Sequence, residues 1–172
     1  MSKPIVFIVD ADIARSSGLS EHPVSSGSRS LLENIQKHGH MIAMCPTLRT
    51  EWKKHRSYFA LKWLSSMFAK KRVKLISPSE NIEEKIKLHI SEEKNKSIAL
   101  KDAHLINAAL CTDRIVASND DNARNTFYIL SMEYGYIKNI IWLNSVRDRE
   151  FIYDFLSSRC LVPSEYYLSS QV

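Results

Sequence analysis

The stretch VFIVDADIA, residues 6–14, places two aspartates at the end of four consecutive β-forming apolar residues. A short run that is apolar on both faces is typical of a strand buried between two layers of helices. In open α/β sheets, ligands bind beyond the carboxyl ends of the strands. The stretch therefore predicts a central strand that carries Asp10 and Asp12 to a candidate site.

Other short apolar segments have the same strand character. With PIVFIV (4–9) we group MIAMC (41–45), RIVAS (114–118), NIIWL (139–143) and a fifth, VKLIS (73–77). Segments with helical spacing separate them, and strands that alternate with helices form parallel sheets. The sequence thus predicts an α/β fold, a three-layer α/β/α sandwich with a central parallel sheet of four or five strands.

Local signals place the helices between these strands. Ser30 and Glu33 form a capping-box pattern that predicts the start of a helix, and Gly39 marks the end of this helix. A long helix is expected from Thr47 to about Lys71, and residues 15–28 are expected to form one long loop. Four further helices are predicted at about 82–90, 98–110, 122–134 and 147–157.

Length and composition favour one domain. The chain has 172 residues, of which 44% are hydrophobic, enough for one core and short for two. We expect a single domain over 1–172, with a core at about 4–143 and a C-terminal helix and tail at 147–172.

The three cysteines, without a C-x-x-C pattern, indicate reduced core thiols and no zinc site. No segment resembles a signal peptide or membrane span, so a cytoplasmic protein without a membrane partner is expected.

Positive charge is concentrated in one part of the chain. The formal net charge is +5, and residues 29–74 hold eleven Lys or Arg against two Glu. Such a region is able to attract a polyanion, although a solvated helix face is the common alternative. Both interpretations stay open at this point.

Acidic residues follow two of the predicted core strands. Asp10 and Asp12 follow the first strand, and Asp120 and Asp121 follow RIVAS. A single aspartate at such a place often turns the chain or caps a helix. Two pairs that converge would repel each other unless a cation lay between them.

Two more acids lie beside apolar helix positions. In KDAHLINAAL (101–110), Asp102 precedes Leu105, Ile106 and Ala109 at helical spacing, which predicts that it faces the core. Glu51 follows Leu48 by one turn and flanks the apolar stripe of its helix. A favourable interaction with the helix dipole is the ordinary alternative for both. His104 is expected at the surface or as a support for a neighbouring group.

These acids, in this order, resemble the PIN-domain nucleases. The resemblance rests on hhhhVD at Asp10, PTLRTE at Glu51, KDAHLINAAL at Asp102 and VASND at Asp120, and it covers about residues 4–143. The family usually has Asn, Ser or Thr where this chain has Asp12, and the loop at 15–28 and the tail after residue 143 are longer than in compact toxin members.

The resemblance implies a ribonuclease that hydrolyses RNA with water activated by Mg²⁺ or Mn²⁺ and leaves a 5′-phosphate. Hard carboxylate oxygens suit these ions. Asp10, Asp102 and Asp120 are the expected main ligands, with Glu51 as ligand or water orienter and Asp12 and Asp121 as second choices. Substrate contacts are expected from Ser118, Asn119, Lys53, Lys54 and Arg56. An antitoxin protein and a homodimer are the partners that the resemblance brings in besides RNA.

Two alternatives remain. A strand that ends in D-x-D also resembles haloacid-dehalogenase-like phosphatases, with Asp10 as nucleophile, Asp12 as acid and base, Ser77 on phosphate, Lys96 or Lys101 as the cation, and Asp120 with Asp121 as the magnesium site. That interpretation leaves Glu51 and Asp102 without a role. The other alternative is a PIN-like module that binds RNA or protein without cutting.

Overall fold

A computed structural model describes residues 2–172. Its centre is a five-stranded, all-parallel sheet in the order β3-β2-β1-β4-β5. The strands are β1 (Val6–Val9), β2 (Met41–Met44), β3 (Val73–Leu75), β4 (Ile115–Ala117) and β5 (Ile141–Leu143). With helices on its faces, the sheet confirms the predicted α/β fold.

The sheet interior is apolar, as the absence of alternation in the sequence predicted. Every residue of β1, β4 and β5 is buried, whereas edge strand β3 is largely exposed. β1 pairs with both β2 and β4, so it lies at the middle of the sheet. The carboxyl ends of β1 and β4 are therefore neighbours, since Val9 pairs with Ala117.

In the part of the chain that the structure describes, eight α-helices connect and cover the strands. They are α1 (Ala11–Ser16), α2 (Pro23–Lys37), α3 (Pro46–His55), α4 (Tyr58–Ala69), α5 (Ile82–His89), α6 (Glu93–Leu110), α7 (Asp121–Glu133) and α8 (Arg149–Ser158). Their apolar faces and the sheet form one hydrophobic core.

The prediction of one long helix from Thr47 to about Lys71 is wrong, because this segment forms two helices, α3 and α4, that are separated by two non-helical residues. Ser57 caps α4 by accepting a hydrogen bond from the Ala60 N–H at 3.0 Å. Its own N–H donates to the Ala14 carbonyl at 2.9 Å. This second hydrogen bond joins the α3–α4 connection to α1, the helix that follows β1.

The long loop predicted at 15–28 is wrong as well. α1 continues to Ser16, and α2 begins at Pro23, where a proline at the first helical position loses no hydrogen bond. His22 provides the cap, because its ring accepts a hydrogen bond from the Val24 N–H at 3.3 Å. Ser30 therefore lies inside α2 and does not begin it.

The C-terminal tail is fastened through a buried arginine of α7. Arg124 is fully buried, and its guanidinium donates to the carbonyls of Ser170, Glu165 and Tyr167 at 2.7–3.0 Å. α8 packs against α2. The tail thus lies beside α7 and edge strand β5, where Tyr167 bridges to Ile141.

Cys45 is buried as expected, but Cys111 is exposed and Cys160 is half-buried, so only one of the three is a core thiol; all three are free. Within residues 2–172, none of the helices is both long enough and apolar enough to cross a membrane.

Candidate functional site

A polar cavity of about 630 Å³ opens beyond the carboxyl ends of β1 and β4. Six carboxylates from four separate parts of the chain line it: Asp10, Asp12, Glu51, Asp102, Asp120 and Asp121. All six were candidates from sequence. The parallel sheet brings Asp10 and Asp120 to the same edge, and α3 and α6 add Glu51 and Asp102 from the side.

Asp10 is held by the chain that leaves β4. Its Oδ2 accepts a hydrogen bond from the Ser118 hydroxyl at 2.8 Å, and its N–H donates to the Ala117 carbonyl at 2.9 Å. Ser118 is fully buried and does not line the cavity. Its place fits a group that orients Asp10 better than a group that touches substrate.

Asp12 has one hydrogen-bonded carboxylate oxygen and one that is unpaired. Its Oδ2 accepts a hydrogen bond from the Asn119 N–H at 2.9 Å, whereas its buried Oδ1 has no partner. Burial, and then the nearby Asp10, raise the pKa of Asp12 from 3.8 to about 8. A buried acceptor without a donor is costly, so this oxygen is suited to a cation or to a proton.

Asp102 is buried as its position in α6 predicted, with 6% of its surface exposed. Burial raises its pKa from 3.8 to about 7, and the charge of Asp10 adds to the effect, with smaller contributions from Asp120 and Glu51. Lys101 lowers the pKa without cancelling the rise. The four acids named by the resemblance therefore lie close enough to repel one another.

Glu51 reaches the cavity from α3 with a histidine beside it. His104 Nε2 lies 2.9 Å from Glu51 Oε2, although the angle is not that of a hydrogen bond. His104 is buried, so the expectation of a surface position is wrong and that of a supporting group fits. The buried His104 ring thus lies against the carboxylate of Glu51.

The two acids after β4 already have intramolecular partners. Asp120 caps α7, since its Oδ1 accepts a hydrogen bond from the Ala123 N–H at 3.0 Å. Asp121 Oδ1 accepts a hydrogen bond from Arg147 at 2.7 Å. Asp120 keeps its second oxygen for the cavity, whereas Asp121 is neutralised in part by the arginine.

The basic side chains at this cavity differ from those expected. Arg15, Lys101 and His55 line it, while Lys53 and Arg56 line a separate cavity on the other side of α3. Lys54 is exposed and lines neither of these two cavities. Lys101 entered the sequence reasoning only through the phosphatase alternative, and Arg15 and His55 did not enter it; only the fold brings α1 and the end of α3 together.

Asn119, expected to contact substrate, lines the cavity and also organises it. Its Oδ1 accepts hydrogen bonds from the N–H and hydroxyl of Ser145, each at 2.8 Å, and its Nδ2 donates to the Ser28 hydroxyl at 3.2 Å. Gly27 fits against this point, because a Cβ there would lie 2.7 Å from the Ser145 carbonyl oxygen. Sequence reasoning missed Ser28 and Ser145, which have no local signal.

The cavity suits a hydrated divalent cation better than a bare one. Among residues 2–172, no three His, Cys, Asp or Glu side chains lie close enough together to hold one metal ion directly. Mg²⁺, however, usually keeps several waters and binds through one or two carboxylates and substrate phosphate. The unpartnered Asp12 oxygen and the raised pKa of Asp102 fit such an ion.

Comparisons of the chain with protein families, with curated proteins and with solved structures found no match. The likeness to PIN-domain nucleases thus rests on the residues alone and stays a prediction.

Proposed function

We propose that the protein is a metal-dependent ribonuclease of PIN type that hydrolyses phosphodiester bonds of RNA at the acidic cavity. The observation that carries the proposal is the convergence of six carboxylates, from β1, α1, α3, α6 and the start of α7, on one cavity. Carboxylates gathered for structural reasons alone would be paired with cations, whereas Asp12 and Asp102 are raised in pKa by burial and by their neighbours.

Each side chain has a distinct task in this proposal. Asp10, Asp102 and Asp120 would hold a hydrated Mg²⁺ or Mn²⁺ in part through its waters, and Glu51, which lies beside His104, would orient the attacking water. When bound, such an ion would supply Lewis acidity and make a water acidic enough to attack phosphorus. Ser118 keeps Asp10 in place, and Lys101 and Arg15, both exposed at the cavity, attract the phosphate.

The arrangement supports the phosphatase alternative less well. Ser77, its phosphate-binding hydroxyl, does not line the acidic cavity, and Lys96 pairs with Glu93 at 3.2 Å. α1 starts directly after Asp10, so Asp12, the proposed acid and base of the phosphatase, lies in the first turn of a helix. Glu51 and Asp102, which the phosphatase leaves without a role, both line the cavity.

Cleavage of end-labelled single-stranded RNA, with Mn²⁺ or Mg²⁺ and with a chelator, tests the proposal. We expect metal-dependent products with 5′-phosphate ends and a loss of at least about 100-fold in rate for Asp10→Asn and Asp102→Asn. Asp154→Asn is the matched control, because it removes the same charge from an exposed position of α8.

The alternatives predict other results in the same assay. Turnover of an aromatic phosphate monoester through a phosphorylated Asp10 would establish the phosphatase and refute the nuclease. RNA binding without cleavage at any metal concentration would establish the non-cleaving module. An antitoxin partner remains a proposal that follows only from the resemblance.

A further inference from the structure

A second cavity, of about 410 Å³, lies on the other side of α3 from the acidic cavity. Arg49 and Lys53 of α3, with Arg56 just after it, line this basic cavity, and none of its lining residues is acidic. At 3.6 residues per turn Arg49 and Lys53 point about 160° away from Glu51. One helix therefore presents an acid to one cavity and cations to the other.

The three cations are free to bind an anion. Across residues 2–172, the ion pairs of the protein do not include Arg49, Lys53 or Arg56, and no side-chain hydrogen bond engages them. Arg49 and Lys53 are exposed. Three like charges around one cavity repel each other, so an anionic occupant is favoured there.

Apart from Thr50, the remaining wall of the basic cavity is apolar. Met44 and Leu64 are buried, and Phe68 at the rim is 43% exposed. An aromatic ring that is half in solvent, next to unpaired cations, is the combination that binds a base and its phosphate in single-stranded nucleic acids. A purely solvated helix face would not place large apolar side chains beside the charges.

We propose that the basic cavity binds one nucleotide of the RNA strand whose scissile phosphate lies in the acidic cavity. The phosphate contacts Arg49, Lys53 and Arg56, and the base packs on Phe68. This proposal rests on the proposed function. A helix is about 10 Å across, so the strand must pass around α3 to reach both cavities.

Equilibrium binding of fluorescein-labelled single-stranded RNA tests the basic cavity separately from cleavage. All proteins carry Asp10→Asn to prevent turnover. The variant R49Q/K53Q/R56Q is compared with K87Q/K94Q/K138Q, which removes the same charge from exposed lysines elsewhere. We expect the first to bind at least about 10-fold more weakly at about 100 mM salt and to lose about 2 from the slope of log K against log salt.

Equal Kd values and equal salt slopes for the two triple variants would overturn the proposal. So would preferential binding of an acidic peptide over RNA. If circular dichroism shows that the triple variant does not fold, Lys53→Gln alone decides, because it is exposed; the expected loss of slope is then about 0.7.

Phe68→Leu tests the base contact. RNA should bind at least about 5-fold more weakly to this variant, whereas inorganic polyphosphate, which has no base, should bind as before. An equal effect on the two ligands, or none on RNA, would overturn the nucleotide assignment.

The outcomes separate this inference from the proposed function. Absence of metal-dependent cleavage by the unaltered chain, with RNA binding that depends on the three cations, refutes the nuclease and keeps the nucleotide site. Normal cleavage with RNA binding indifferent to the three cations refutes the nucleotide site alone.

Discussion

Removing one carboxylate from the acidic cavity should stabilise the metal-free protein. Asp102 is 6% exposed, and its pKa is raised from 3.8 to about 7. The folded state then binds the proton more tightly than the unfolded chain, so stability falls as pH rises from 3.8 towards 7. The Asp102→Asn variant does not titrate at this position, so its stability lacks this dependence on pH.

The size of the effect follows from the same pKa values. At about 1.4 kcal/mol for each pH unit, the gap between 3.8 and about 7 is worth about 4 kcal/mol once the group is ionised. At about pH 5 the same cost is only about 1–2 kcal/mol. The advantage of Asp102→Asn over the unaltered protein should therefore grow by about 2–3 kcal/mol between about pH 5 and pH 8.

Urea unfolding with a chelator present, at the two pH values, measures this difference. Asp154→Asn, the exposed control, should stay within about 0.5 kcal/mol of the unaltered protein at both. Added Mn²⁺ should stabilise the unaltered protein more than Asp102→Asn, because binding to the folded state adds stability. A less stable Asp102→Asn at the higher pH, or an advantage that does not change with pH, would refute the account of mutual repulsion.

Three further predictions concern the parts that support the site. His40 is buried, its Nδ1 accepts a hydrogen bond from the Ile5 N–H, and burial lowers its pKa below 6.5. Stability should therefore be lost as pH falls below 6.5, and the difference in unfolding free energy between the unaltered protein and His40→Gln should shrink from neutral to acidic pH. A difference that does not change with pH would contradict this account. Gly27→Ala should cost about 1–3 kcal/mol in urea unfolding, because its Cβ meets the Ser145 carbonyl; Gly18→Ala, which has open space, should cost less than about 0.5 kcal/mol, and equal costs would contradict the close approach. Arg124→Met leaves three tail carbonyls unpaired and should cost about 2–4 kcal/mol and expose the C-terminus to limited proteolysis, whereas a protected tail would contradict its role.

The sheet and the acids could be predicted from sequence because both follow from rules that act locally. Strands such as β1 and β4 are short and apolar on both faces, and each structural strand lies inside the segment predicted for it. Asp10 and Asp120 come together because parallel strands share their carboxyl edge. Asp102 could be predicted from helical spacing alone.

Features set by contacts between distant residues could not be predicted in this way. The apolar stripe of α3 continues into α4 across Arg56 and Ser57, and only the contact of Ser57 with Ala14 shows where the helix ends. The charge count likewise showed that residues 29–74 are basic without showing which cavity the cations line. Asn119 and Ser145 are polar residues of a kind common in loops, and their pairing across the sheet edge depends on the fold.

α3 separates the cations of the basic cavity from the carboxylates of the acidic cavity, and this distance limits how far they neutralise them. A cation one helix diameter away, about 10 Å, attracts a carboxylate by about 1–2 kcal/mol at an effective dielectric constant near 20, and salt screens this attraction further. Even Lys101, adjacent in sequence, leaves the pKa of Asp102 at about 7. Cations at the rim and behind the helix are therefore able to guide a polyanion but not to balance the acids. Protons or a cation inside the cavity are needed for that balance, and in the proposed nuclease Mg²⁺ or Mn²⁺ would take the place of the protons when RNA binds.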